Sequence, residues 1–337
     1  YLRIGDIMMR AKRDFNTEID KNKLNYVLIG DPALRLAYPQ YDLQVTRING
    51  QSATSQTEME SGQSYTVEGE VRSPQGEPIT DFNGEIYFSL YDEEKRFTTL
   101  AHQDSKTWTY NYRPDLLTTG KGSVQNGQFS LTFTLPTGNS HSGKSALLNL
   151  YACDPSGQEA NGYTEQLLIG TATETGSADT QGPEITFIGF TDEEFTEGDR
   201  IETPATFLCR FSDPSGIWSG NTLGRQMTLL LNGASVEENT ARYYHPSIDG
   251  NTPGGEFIYP LPALHDGSYT LTFKVFDSLG NSSEATTAFE IYNAPTGYSL
   301  SIDENPVTEQ ATLSCQDLEG NDLGEVKRAR ISITDLR

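Results

Sequence analysis

At 337 residues the chain is too long for one hydrophobic core and divides into more than one domain. Acidic residues number 47 against 24 basic ones, a formal net charge of −23; this argues against nucleic acid and anionic lipid, partners that need a basic footprint. No apolar run reaches the ~18 residues of a membrane-spanning helix.

The first forty residues differ from the rest. Ile4, Ile7, Met8, Ala11 and Phe15 recur at three- and four-residue steps, with Arg10, Lys12, Arg13 and Asp14 between them. This spacing predicts an amphipathic helix over residues 2–15. Asn25-Tyr26-Val27-Leu28-Ile29-Gly30 is an apolar run closed by Asp31-Pro32. A strand apolar on both faces belongs in a parallel sheet covered by helices on each side. One helix and one such strand cannot bury themselves, so residues 1–40 read as the closing edge of an α/β domain upstream. The absence of an initiator Met and of a signal peptide fits a chain that starts mid-protein.

From Tyr41 the period changes to two. Strands are expected at Leu43–Ile48, Ser64–Val71, Glu85–Tyr91, Thr107–Tyr112, Gln128–Leu135, Ala146–Ala152 and Tyr163–Ile169, with turn signals at Pro74-Gln75-Gly76 and Asn126-Gly127. Residues 41–172 therefore form a first, Ig-like β-sandwich. Residues 173–183 are small and polar and read as a linker. Residues 184–295 form a second sandwich of Ig or fibronectin-like size, with strands at Glu184–Phe190, Ala205–Phe211, Gln226–Leu231, Glu256–Leu261, Ser268–Phe276 and Ala285–Ile291. Residues 296–337 hold two further strand-like runs, Ala311–Cys315 and Ala329–Thr334, and read as an incomplete C-terminal β-domain.

Few residues invite chemistry. Cys153, Cys209 and Cys315 form no CxxC pair, and Cys153 and Cys209 sit in apolar runs that suit buried free thiols. Nearby carboxylates would raise a thiol's pKa, and His102, His141, His245 and His265 lie in polar, turn-rich sequence, so no catalytic pair is expected. Asp154-Pro-Ser-Gly and Asp213-Pro-Ser-Gly repeat one tetrapeptide just after a Cys-bearing strand. It is a turn former. Asp154 and Asp213 are also the candidate Ca²⁺ ligands, with Asp92, Glu93 and Glu94 or Asp192, Glu193 and Glu194 as added oxygens. No other cofactor is implied. Trp108, Tyr110 and Tyr112 alternate onto one face of a strand, which a sandwich turns inward; an exposed face would instead be an aromatic platform for sugars. Trp218, in the SGIWSG loop, is the candidate for an exposed aromatic contact, unless that loop plugs a sandwich end.

Three stretches carry a resemblance. NYVLIGDPALRLAYP (Asn25–Pro39) resembles the end of the caspase-like catalytic domain of the gingipain family of cysteine peptidases. DTQGPEITFIGF (Asp179–Phe190), FSDPSGIWSG (Phe211–Gly220) and YPLPALHDGSYTLTFKVFDSLGNSS (Tyr259–Ser283) look like the β-domain of that family's type IX secretion sortases. NPV (Asn305–Val307) and ISITDLR (Ile331–Arg337) are similar to the C-terminal domains tied to that secretion system. The resemblance implies a mainly β chain: tandem Ig-like or fibronectin-like sandwiches preceded by the C-terminal helix and strand of a caspase-like domain. It places the family's catalytic Cys and His upstream of Tyr1 and on no residue here. It also implies a Gram-negative cell-surface or outer-membrane location, cargo proteins with C-terminal secretion signals as partners, other type IX components beside them, and transfer of cargo to lipopolysaccharide. The alternatives are a cell-surface adhesin or glycan-binding tandem sandwich, and a secreted gingipain-type proteinase.

Overall fold

The computed structural model of the chain describes residues 3–14, 26–101, 106–138, 143–170, 179–191, 195–220, 224–237, 240–249, 252–292, 298–302 and 313–317. Helix α1 (Ile4–Asp14) forms where the apolar spacing predicts it. Its first amides find acceptors in the segment that follows the polar stretch: Ile4 donates to the Leu34 carbonyl at 2.8 Å and Gly5 to that of Pro32 at 3.0 Å. Gly5 permits the approach, since a Cβ there would fall 2.8 Å from the Pro32 Cβ.

Of the strand expected at Asn25–Gly30, the described residues 26–30 form none. Residues 26–29 are irregular, and Tyr26, Val27 and Ile29 are 68, 73 and 95% exposed. A strand needs neighbours for its backbone groups, and none pairs with this run among the described residues.

The first sandwich contains β1 (Tyr41–Ile48), β2 (Ser64–Arg72), β3 (Gly84–Tyr91), β4 (Lys95–Thr98), β5 (Thr109–Tyr112), β6 (Leu116–Gln125), β7 (Gln128–Thr134), β8 (Leu147–Cys153) and β9 (Glu159–Thr164). The sheet order is β9-β8-β3-β6-β7-β2-β1, and a short parallel pairing of β1 with β9 closes the ring. β6 and β7 share only the end of their hairpin, so two sheets face each other across the core. Asn126 and Gly127 turn that hairpin with φ of 51° and 72°, as their order in sequence predicts. On β2 every second residue is buried, from Tyr65 to Val71, and these side chains meet Ile86, Phe88, Leu131, Leu148 and Leu150 in one core. The run expected at Tyr163–Ile169 breaks instead: β9 ends at Thr164, and Leu167–Ile169 pairs in parallel with Thr57–Met59.

Two strands escape the alternation rule. β6 reads LLTTGKGSVQ, too poor in branched and aromatic residues to signal a strand. Its glycines answer a packing demand, because a Cβ at Gly120 would lie 2.5 Å from the Phe88 ring and one at Gly122 2.5 Å from Leu131. β4 pairs with β5 in a separate two-stranded ribbon. The ribbon overturns the expectation of a core face: Trp108, Tyr110 and Tyr112 are 72, 51 and 57% exposed. With no second sheet across from the ribbon, alternation carries no inward direction.

The second sandwich contains β10 (Glu184–Phe190), β11 (Thr206–Ser212), β12 (Thr228–Leu231), β13 (Tyr244–Asp249), β14 (Thr252–Pro260), β15 (Gly267–Phe276) and β16 (Ser282–Ile291). One sheet runs β10-β11-β14-β13; the other has β16-β15-β12 at its centre. Phe207, Phe257, Phe273 and Phe289 interlock between them, with the rings of Phe257 and Phe273 4.7 Å apart. Beyond this sandwich β17 (Tyr298–Ile302) and β18 (Leu313–Asp317) form an antiparallel pair. Ala329–Thr334 lies outside the described residues, as do His102, His141, Asp192–Glu194 and most of the expected linker.

Replacing Phe273, which is fully buried, with Ala should destabilise the second sandwich by about 3–5 kcal/mol. Denaturant unfolding followed through Trp218 fluorescence measures this, and a loss of under roughly 1 kcal/mol would mean that the surrounding rings collapse into the space.

Candidate functional site

The two sandwiches meet where the Pro136-Thr137 segment after β7 reaches the turn after β15. Thr137 donates its amide to the Ser278 carbonyl at 3.0 Å and its hydroxyl to the Leu279 carbonyl at 2.9 Å. Arg225 locks the contact. One guanidinium nitrogen donates to the Thr137 carbonyl, and another to the carbonyls of Asp277 at 3.2 Å and Ser278 at 2.7 Å. The guanidinium also lies 4.6 Å from the Trp218 ring centre, a cation–π contact strengthened by the loss of water. Trp218 is accordingly not the exposed contact its loop suggested. It is buried and plugs the end of the second sandwich, its amide bonded to the Phe276 carbonyl at 2.9 Å. Among the described residues, Trp218 Nε1, Ser219 Oγ, Arg225 Nε and Ser278 Oγ are buried without a hydrogen-bond partner, and all four belong to this junction.

Directly behind it three carboxylates converge. Asp179 precedes β10, Asp213 opens the turn after β11, and Asp277 opens the turn after β15; one oxygen from each lies within 4.8 Å of the others. Local chemistry explains each position. Asp277 is an Asx turn former, with one oxygen accepting the amides of Leu279 at 2.9 Å and Asn281 at 2.7 Å. Asp213 accepts the Ser215 amide at 2.7 Å, and Asp179 accepts the Ser215 hydroxyl. Asn281 ties the group together by donating to the other Asp277 oxygen at 2.7 Å and to the Asp179 carbonyl at 3.3 Å.

Such a set of oxygens has the chemistry to hold a hard cation. Of the two calcium candidates, Asp213 stands in this cluster. Asp154 belongs to no such group among the described residues: its carboxylate is exposed and accepts from Ser156 and Gln158 in its own turn. Asp179 and Asp277 escaped sequence reasoning. They lie 34 residues before and 64 after Asp213 in numbering, and only the fold joins the three loops. The one available signal was that each of the three is followed three residues later by a glycine, Gly182, Gly216 and Gly280.

Burial is the main force on Asp213. It pushes the carboxyl up to about 6, helped by repulsion from Asp277 and Asp179 and opposed by the bonds from Ser215. The acid is thus easier to bury neutral. Its contribution to stability is full below the unfolded value near 4 and is lost as pH rises through about 6.

Among the described residues, neither Cys153 nor Cys209 sits in a setting that favours a thiolate. Cys209 is buried, and burial alone pushes its thiol up; the half-buried Cys153 is raised by burial first, then by Glu85 and Glu159. Among the described residues no hydrogen bond joins His245 or His265 to either thiol, and both imidazoles are exposed.

Asp213→Asn should keep the turn, because the amide oxygen can accept from Ser215, while removing the charge. In chelator-containing buffer the variant should melt above the parent chain at pH 7 and level with it at pH 4. Paired thermal scans at the two pH values check this; equal melting at pH 7 would mean that the ionised carboxylate is well solvated.

No protein-family model matches the chain, and no curated protein does. Among solved structures the chain is similar to dimeric latent PorU from Porphyromonas gingivalis, with 25% identity and a TM-score of 0.48 over 94% of this chain and 30% of that one. It is also similar to an ICAM-5 ectodomain fragment, at 13% identity and a TM-score of 0.23 over 85% of this chain and 64% of that one. A third likeness is to a 1.5-MDa bacterial ice-binding adhesin, at 12% identity and a TM-score of 0.21 over 80% of this chain and 70% of that one. The chain therefore spans under a third of the length of the PorU chain it resembles.

Proposed function

We propose that this chain is the non-catalytic C-terminal scaffold and docking region of a cell-surface cysteine endopeptidase of the gingipain family, of the type IX secretion sortase kind. In this reading residues 1–40 are the closing edge of the caspase-like catalytic domain. Residues 41–172 and 184–295 are the Ig-like sandwiches beside it, and residues 296–337 belong to a further β-domain. The catalytic Cys and His lie upstream. A cysteine enzyme can transfer as well as hydrolyse, because a thioester splits one difficult acyl transfer into two easier steps. The parent would cleave C-terminal secretion signals from cargo and pass the new carboxyl end to lipopolysaccharide at the outer membrane.

One observation carries the proposal. Val27 and Ile29, with Tyr26 before them and Leu34, Leu36 and Tyr38 after them, leave a long apolar segment in water. Tandem sandwiches alone have no use for such a segment. A layered α/β domain does, since its strands are covered on both faces. The Gly-Asp-Pro turn at its end is formed, with Asp31 accepting the Ala33 amide at 2.8 Å.

Val27→Asp with Ile29→Asp tests this in two settings. In the 337-residue chain both side chains already face water, so sandwich melting should not move. In the parent protein the same pair should abolish soluble peptidase, read as peptide cleavage in the soluble fraction. Undiminished cleavage by the doubly substituted parent would defeat the proposal.

A further inference from the structure

The β4–β5 ribbon prolongs the β3–β6 hairpin as a separate two-stranded arm: Tyr91 lies opposite Leu116, and beyond them Lys95 lies opposite Tyr112. Among the described residues no other strand packs broadly against this arm, and β5 is exposed along its whole length. The root is pinned to the first sandwich. Lys95 is bonded to Asp115 at 2.5 Å, and Arg113 donates to the carbonyls of Asp92 and Ser145, each at 2.7 Å, and to Glu165 at 2.9 Å. From Lys95 to Thr99 the arm reaches about 14 Å, at ~3.4 Å per residue.

Register sorts the side chains by face. Phe97 pairs with Tyr110 and Lys95 with Tyr112, while the Trp108 carbonyl accepts the Thr99 amide at 2.9 Å. Trp108, Tyr110, Tyr112 and Phe97 therefore share one face, where the rings of Phe97 and Tyr110 stack 5.8 Å apart. Arg96, Thr98, Thr109 and Asn111 occupy the other. The aromatic face offers rings rather than charge, since its cation, Lys95, is already paired with Asp115. Leu100, next along the arm after Thr99, is 94% exposed.

We propose that this ribbon is an interfacial anchor for a zwitterionic lipid bilayer, its aromatic face lying among the headgroups with Trp108 and Leu100 deepest. Indole and phenol rings are apolar bodies with a polar tip, and membrane proteins gather them at headgroup level for that reason. Trp108, Tyr110 and Tyr112, each half exposed or more, offer parts of side chains of about 150–250 Å². Together they fall well short of the ~800 Å² per partner that a stable protein interface or second copy buries. A bilayer has no such threshold, because binding grows with each apolar side chain immersed. Interfacial elements sink about 5–10 Å, less than the reach of the arm, so the acidic sandwiches stay in water. A net charge of −23 repels anionic headgroups, which leaves lipids without net charge. The ribbon contains none of the residues that carry the peptidase proposal.

Phosphatidylcholine vesicles test this on the 337-residue chain. The only tryptophans are Trp108 and Trp218, the first exposed and the second buried, so a change in emission on adding vesicles reports Trp108. Emission should shift to the blue, and lipid brominated near the headgroup end of its acyl chains should quench it more than lipid brominated near the methyl end. Leu100→Ser with Trp108→Ser should lower partitioning, read by vesicle flotation, roughly tenfold, since binding scales with the apolar surface immersed. Val27→Asp with Ile29→Asp, in the other exposed apolar segment, should leave flotation unchanged. Unchanged melting of each variant excludes misfolding. The proposal falls if vesicles leave Trp108 emission unmoved, if the Leu100→Ser, Trp108→Ser chain floats as well as the parent, or if the Val27→Asp, Ile29→Asp chain no longer floats. It falls equally if the deeper bromines quench more, if neutral dextran shields Trp108 better than vesicles do, or if the blue shift appears without lipid as the chain self-associates in sedimentation.

Discussion

The arrangement of the two sandwiches depends on one half-buried cation. Arg225 has lost much of its water, which pushes its pKa down, while the Asp277 carboxylate pulls it back up. A guanidinium so placed must find acceptors in the plane of its fork. Thr137 supplies one from the first sandwich, and Asp277 and Ser278 supply two from the second. Lysine would not serve, because a point charge on a flexible stem cannot address carbonyls on two domains while stacking on Trp218. The same geometry buries the tryptophan and holds the turn after β15, so the junction and the sandwich end are one structure.

That turn also brings a difficulty with it. Asp277 is buried because its side chain organises the turn, and Asp213 because the matching turn after β11 packs alongside. Two buried carboxylates and a third at the margin repel one another. Hydrogen bonds from Ser215, Leu279 and Asn281 offset part of the cost, and Asp213 relieves more by taking up a proton readily. The charge excess of the chain is thus not confined to its solvated surface.

The opposite departure lies on the first sandwich. There a two-stranded hairpin leaves its aromatic side chains Trp108, Tyr110 and Tyr112 in water. The ribbon is held at its base by Arg113 and Lys95 and presents such a face without a second sheet behind it among the described residues. Exposed aromatic rows are uncommon on protein surfaces unless something binds them.

The mainly β class, the α1 helix, the Asn126-Gly127 hairpin and most of the long strands were legible in the residues alone. These follow from local periodicity and from turn residues whose φ preferences act over a few positions. The rest depends on packing between segments distant in the chain. β6 was hidden because its glycines are required by Phe88 and Leu131, neighbours remote in sequence. Trp108 and Trp218 exchanged their expected roles, since alternation says that residues share a face but not whether anything covers it. Asp213 was legible as a turn residue, whereas its meeting with Asp179 and Asp277 depends on three loops brought to one end of a sandwich. Turn propensity is a property of a few adjacent residues; convergence of charges is a property of the packed sheets.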